Sequence, residues 1–163
     1  MRLLESITVC AVAAALMETA GAQTPASTIF NPAPSRIVGQ AVLQQQGVLT
    51  ATAPNLVEGR EFNGPQAIAI DTSVAPPILY VADTVNNRVL AWKNATAFAN
   101  GDFAGLVIGQ RDFLTTAPKG PGTDLITGLS APDGLVVDSA GNLYGTASSG
   151  GADGEGVVFK VTP

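Results

Sequence analysis

One unit occurs twice in this chain. Pro65 to Asp71 (Pro-Gln-Ala-Ile-Ala-Ile-Asp) returns 67 residues on as Pro132 to Asp138 (Pro-Asp-Gly-Leu-Val-Val-Asp). Each copy passes through a turn into Leu79-Tyr80 or Leu143-Tyr144. Each is preceded by an apolar-Gly-Gln triplet, Val38-Gly39-Gln40 and Ile108-Gly109-Gln110, spaced by 70. A repeat of this length, made of short apolar runs between turn residues, reads as successive β-sheet blades stacked face to face.

The pattern predicts the strands of each copy. Ala67 to Ile70 is a continuous apolar run, as expected of an inner strand buried on both faces, and Asp71 ends it. Thr72 to Pro77 forms a turn in which Pro76 and Pro77 lack backbone donors. Ile78 to Ala82, Arg88 to Trp92 and Leu106 to Ile108 complete four strands, with Thr84 to Asn87 as a tight turn because asparagine tolerates positive φ. The second copy predicts Gly134 to Val137, Leu143 to Thr146 and Val157 to Val161, with no fourth strand. Arg36 to Gln40 matches a fourth strand standing alone. It is expected to complete the blade whose inner strands come from the C-terminal copy, covering exposed strand edges.

Tyr80-Val81-Ala82-Asp83-Thr84-Val85-Asn86-Asn87-Arg88-Val89-Leu90, with Pro65 and Asp71 upstream, resembles an NHL repeat, and the Gly-Gln triplets resemble those of bacterial long-blade NHL propellers. The C-terminal stretch from Gly141 to Thr146, then Gly150-Gly151 and Gly156 to Pro163, is similar to a second bacterial secreted repeat that ends in a Gly-Thr-Val-Phe-Lys-Leu-type strand. The resemblances span residues 35–163 and imply an all-β, β-propeller-like fold of about two four-stranded blades, units 65–110 and 132–163 plus outer strand 36–40. Nothing from Ser148 to Gly156 reproduces Asp83 and Arg88, so the second blade must be held by other means. Propellers close with about four to eight blades. The reading therefore favours an incomplete propeller or a fragment of a longer one. Homo-oligomers that complete a ring and a small sandwich-like stack are the alternatives.

Residues 1–22 carry the regions of a secretory signal peptide: Arg2, an apolar run from Ser6 to Met17 that is too short to span a bilayer, and the small residues Ala20-Gly21-Ala22. Residues 23–34 are expected to be a flexible segment, and the protein to be secreted or periplasmic. Cys10 falls in the leader. The mature chain then has no cysteine, and with no histidine in the sequence it can hold neither a disulfide, a Ser-His-Asp triad nor a histidine-ligated zinc. No later segment approaches a membrane span. Nucleic acid is excluded as a partner on charge: the chain has 8 Lys and Arg against 13 Asp and Glu, and the cations are scattered singly.

The residues that carry chemistry are few. Asp83 and Arg88 flank a turn on adjacent strands, where a carboxylate and a guanidinium can pair, and that pair reads as structural, with Asn86 and Asn87 shaping the turn. Asp71 and Asp138 recur with the fold and read as turn formers. Asp153 and Glu155, in the glycine-rich loop Gly150 to Gly156, are at most a sparse set of calcium ligands. No catalytic, metal or cofactor residue is assigned. The connections Ala41 to Gly64 and Arg111 to Ala131 should gather on one face with Thr84 to Asn87 and Ser148 to Gly156. There Arg60, Phe62, Arg111 and Phe113 either contact a protein or carbohydrate ligand or tuck into a neighbouring blade, and for both phenylalanines packing is the favoured reading. The expected function is a noncatalytic binding or scaffold module. The alternatives are a lactonase- or lyase-type propeller enzyme with an acid-only metal site and a nonfunctional fragment.

Overall fold

A computed structural model of the chain describes residues 36–39, 56–119, 128–151 and 153–163. The expected leader 1–22, the segment 23–34 and Gln40 lie outside these residues. Among the described residues, seven strands form two antiparallel sheets. β1 (Pro65–Asp71), β2 (Ile78–Asp83), β3 (Arg88–Trp92) and β4 (Leu106–Ile108) pair in that order, as do β5 (Pro132–Val137), β6 (Leu143–Ala147) and β7 (Val157–Val161). The architecture is all-β, an incomplete propeller-like pair of sheets with four and three strands.

The repeat is exact at the level of register. Pro65 faces Asp83 and Ala67 faces Ala82, with a bulge between; Pro132 faces Ala147 and Gly134 faces Thr146, with the same bulge. Leu79 faces Trp92 as Leu143 faces Val161. The copies differ in the first turn. Asp71 faces Ile78 across Thr72 to Pro77, whereas Asp138 bonds through its N–H to the Asn142 carbonyl at 3.0 Å, with only Ser139 to Gly141 between.

The copies fill one position in opposite ways. Val81 faces Leu90 in the first sheet, and Gly145 faces Phe159 in the second. A Cβ on Gly145 would lie 2.2 Å from Phe159 Cζ and 2.8 Å from the Gly134 carbonyl oxygen, so the ring occupies the volume that a side chain takes in the first copy. Gly145→Val should therefore cost about 1–3 kcal/mol through overpacking. Adding Phe159→Leu should restore part of the loss by copying the first sheet. Urea midpoints measure both, and an unchanged midpoint in the single variant would contradict this packing.

The sheets stack. Ala69, Ile78, Tyr80, Val89 and Ala91, with Ile108, meet Leu135, Val137, Leu143, Phe159 and Val161, and Leu129 joins the same cluster. The opposite face of the first sheet carries Leu79, Val81, Leu90 and Trp92, packed with Ala104, Val38, Phe62, Phe98, Val107 and Phe113.

Two expectations are corrected here. β1 is not buried on both faces: its burial alternates, and Ile68 and Ile70 are 68% and 52% exposed. Both point to the Leu79 and Val81 side, being paired with Val81 and Leu79, and no described element covers the inner end of that face. Residues 36–39 form no strand and do not pair with β7. They lie on the first sheet instead. Arg36 Nη1 donates to the Thr96 carbonyl (2.6 Å), the Ile37 N–H donates to Asn100 Oδ1 (2.9 Å), and Val38 enters the Leu79 cluster.

Candidate functional site

The charged residues of the repeat motif build a joint between the first sheet and the connections around it. Asp83 ends β2 and Arg88 begins β3, and the register sets them opposite each other across a 3₁₀ turn, Thr84–Asn86. Both side chains are fully buried. Arg88 Nε donates to Asp83 Oδ2 at 2.7 Å, Nη1 to the Phe113 carbonyl at 2.6 Å and Nη2 to the Glu61 carbonyl at 3.3 Å. Asp83 also accepts from the Asn63 N–H (2.7 Å) and from Asn86 Nδ2 (2.9 Å). One ion pair thus ties together the chain that enters the first sheet and the chain that leaves it. Charges in such a place persist only when every lone pair and proton finds a partner.

The same turn reaches the second sheet. Asn87 sits in the left-handed region at φ 55°, which asparagine tolerates, and this aims its amide outward. Its Oδ1 accepts from the Ala131 N–H (2.8 Å), its Nδ2 donates to the Thr116 carbonyl (2.9 Å), and its own carbonyl accepts from Gln110 Nε2 (2.9 Å). Thr84 Oγ1 donates to the Pro132 carbonyl at 2.6 Å. Glu61, Asn63, Thr84 and Gln110 were not singled out from the sequence as site residues. The signal for Gln110 was present in the repeated apolar-Gly-Gln triplet, but the others contribute backbone groups or a single hydroxyl that no pattern marks.

In the second sheet, Ala147 and Val157 occupy the places of Asp83 and Arg88. That hairpin is closed without charge. The Ser148 N–H donates to the Ala131 carbonyl at 3.1 Å and anchors the loop that follows.

Asp71 and Asp138 hold turns. Asp71 is buried and accepts from the Ser73 N–H (2.8 Å) and hydroxyl (2.6 Å). Asp138 accepts from the Ala140 N–H, from both the N–H and Nδ2 of Asn142, and from the Tyr144 hydroxyl at 3.2 Å. The Asn142 side-chain amide, then its backbone N–H, holds the Asp138 carboxyl below its ordinary value of 3.8. The equivalent tyrosine, Tyr80, is pushed above its ordinary 10.0 by burial and then by the charge of Asp71. Because the folded Asp138 value is depressed, its contribution to stability is complete above the unfolded carboxyl's pKa and is lost as pH falls through the folded one. The Asp138→Asn variant should therefore lose stability less steeply than the parent below about pH 4. Denaturant midpoints across that range check this, and parallel curves would contradict it.

The four residues set out as a ligand face divide. Phe62 and Phe113 are half-buried in the Leu79 cluster, and Phe62 stands edge-on to Trp92 with ring centroids 5.7 Å apart. Arg60 pairs with Glu58 and Glu61 and lies 4.8 Å over the Phe103 ring. Arg111 is exposed and pairs with Asp112 at 3.1 Å. Of the two arginines, Arg111 is the more exposed, with 70% of its side chain open against 22% for Arg60. Asp153 and Glu155 are exposed, and the described residues contain no group of three or more His, Cys, Asp or Glu that could hold a metal ion.

A cavity of about 500 Å³ opens beside the outer edge of β7. Its walls are Val157 to Val161 on one side and Ile108, Leu129 and Ser130 on the other, with Lys119 and Lys160 contributing positive charge. The outer edge of β3 carries β4, whereas no described strand pairs with the outer edge of β7. The cavity therefore sets a strand edge that no described strand occupies beside an apolar wall and cations, the chemistry that accepts an extended chain. No helix among the described residues is long and apolar enough to cross a membrane. No protein-family model matches the chain, and no curated protein matches it.

Proposed function

We propose that this chain is a secreted, noncatalytic repeat module of the NHL type that binds or scaffolds a protein or carbohydrate outside the cytoplasm. The observation that carries this reading is the use made of the motif's charges. Asp83 and Arg88, the motif's paired carboxylate and guanidinium, are sealed from solvent and spend their hydrogen bonds on backbone, on Asn86 and on each other. A group that serves substrate must be able to reach it. The cavity beside β7 supports the binding half of the reading, since an apolar wall with a few convergent polar groups is the usual form of a ligand site.

Titration of the isotopically labelled full chain checks the proposal, with two probe sets read by amide chemical shifts. One set is short peptides that alternate apolar and acidic residues; the other is neutral oligosaccharides. Saturable shifts at Lys119 and Val157 to Val161, unchanged by a metal chelator, are expected with one of them. Hydrolysis of a lactone or ester probe that stops when chelator is added would overturn the noncatalytic reading, and shifts with neither set would overturn the binding reading.

A further inference from the structure

The interface inside this chain is a template for a second one. Within the chain, a sheet surface containing Ala69, Tyr80, Val89 and Ala91 meets a sheet surface containing Leu135, Val137, Leu143 and Phe159. The register makes Ile68 and Ile70 of β1 the counterparts of Leu135 and Val137 of β5, and Val136, Tyr144, Val158 and Lys160 the counterparts of Ala69, Tyr80, Val89 and Ala91. The inner-strand part of the Leu135 surface therefore occurs a second time exposed on the first sheet, and the Ala69 surface a second time at the outer surface of the second sheet, while Leu79 and Leu90, the counterparts of Leu143 and Phe159, stay buried in their own cluster. Ile68 and Ile70 are exposed on the first sheet, and Val136 and Val158 are 61% and 75% exposed on the second.

The lone segment 36–39 carries the same equivalence. In the first sheet, β4 is followed by Gly109, where a Cβ would lie 2.6 Å from Leu129 Cγ. At Gly39 a Cβ would lie 2.2 Å from Phe62 Cδ2. Phe62 precedes Leu129 by the same 67 residues as the repeat, so Gly39 sits on the first sheet as Gly109 sits at the entry to the second. Val38 enters the Leu79 cluster just as Ile108 enters the Tyr80 cluster. Residues 36–39 thus hold the position of an outer strand whose three inner strands are not supplied by this sheet pair. β5, β6 and β7 are three inner strands with no described outer strand.

We infer that a second copy of this chain docks head to tail, its β5–β7 sheet laying Val136, Tyr144 and Val158 on Ile68 and Ile70 and its β7 edge beside Ile37 to Gly39. The chemistry of the two faces fits. Branched aliphatic side chains meet two valines and a tyrosine, and Lys160 lies with its ammonium 5.4 Å from the Tyr144 ring centroid, leaving a long methylene stem to cover apolar surface while the charge reaches water. Such contacts are heterologous, so they generate closed rings or open chains rather than a two-fold dimer. This partner goes beyond the ligand-binding reading: a chain that stays monomeric yet binds a peptide would defeat the docking and leave that reading intact.

The test uses light scattering on the full chain and on two variants that alter exposed residues only, I68K/I70K and V136K/V158K. Each variant destroys one face. Circular dichroism and urea midpoints equal to those of the parent confirm that each is folded. The parent should associate with rising concentration, each variant alone should be monomeric, and an equimolar mixture should form a two-chain complex, because each contributes one intact face. A monomeric parent at concentrations of about 100 μM, which corresponds to a very weak contact, would overturn the inference. Association of either variant by itself, or a monomeric mixture, would overturn it as well.

Discussion

Asp83→Ala should be the most damaging single substitution in the described part of the chain, costing about 3–5 kcal/mol. The change leaves the Arg88 guanidinium buried without its carboxylate, and it also removes the acceptor of the Asn63 N–H and one acceptor of the Asn86 amide. A domain of this size has about 5–15 kcal/mol of stability in total, so the variant would stand near the limit of folding. The second sheet indicates how to separate the charge from the shape. Ala147 and Val157 hold the equivalent positions with no charge. The double variant Asp83→Ala with Arg88→Val should therefore be more stable than Asp83→Ala alone, although it still forfeits the bonds to the Phe113 and Glu61 carbonyls. A double-mutant cycle from denaturation midpoints measures the coupling. Simple additivity would mean that the pair contributes no more than its separate contacts.

Asn87→Ala is the second large loss, about 3 kcal/mol. It combines roughly 1–2 kcal/mol for an alanine held in the left-handed region with about 1–3 kcal/mol for leaving the Ala131 N–H and the Thr116 carbonyl without their side-chain partner. Asn87→Gly removes the first cost and keeps the second, so it should fall between the parent and the alanine variant. The effect should also have a direction in space. Asn87 bonds to the connection on its way into β5, so its loss should weaken the union of the two sheets more than either sheet itself. Separate probes, Trp92 fluorescence for the first sheet and labelled amides of β6 for the second, should melt together in the parent and apart in Asn87→Ala. Coincident melting in both would place the joint elsewhere.

The strands were legible because each rests on a local pattern. Arg88 to Trp92, Leu106 to Ile108 and Val157 to Val161 are apolar runs bounded by turn residues, and they begin and end where the sequence places them. The paired carboxylate and guanidinium were legible too, since a tight turn must set its flanking residues opposite each other. What the sequence could not convey was which surfaces have neighbours. Ala67 to Ile70 reads as an inner strand buried twice over, and its composition suits that, yet burial depends on what packs against Ile68 and Ile70. The same limit misplaced residues 36–39: the repeat identifies an outer strand by its Gly-Gln triplet but is silent on whose sheet edge it lies beside. For Phe62 and Phe113 the sequence favoured packing over ligand contact, and the Trp92 ring and the Leu79 cluster account for where they lie.

The central claim is that two repeats, differing in charge and loop length, form one body through the Asp83, Arg88 and Asn87 joint. Native-state hydrogen exchange of the full chain tests it most directly. Amides of β2 and β3 and amides of β5 and β6 should share one opening free energy, equal to that of global unfolding. If β5 and β6 instead exchanged through a separate opening well below that of β2 and β3, the sheets would be independent and the account of the joint would be contradicted.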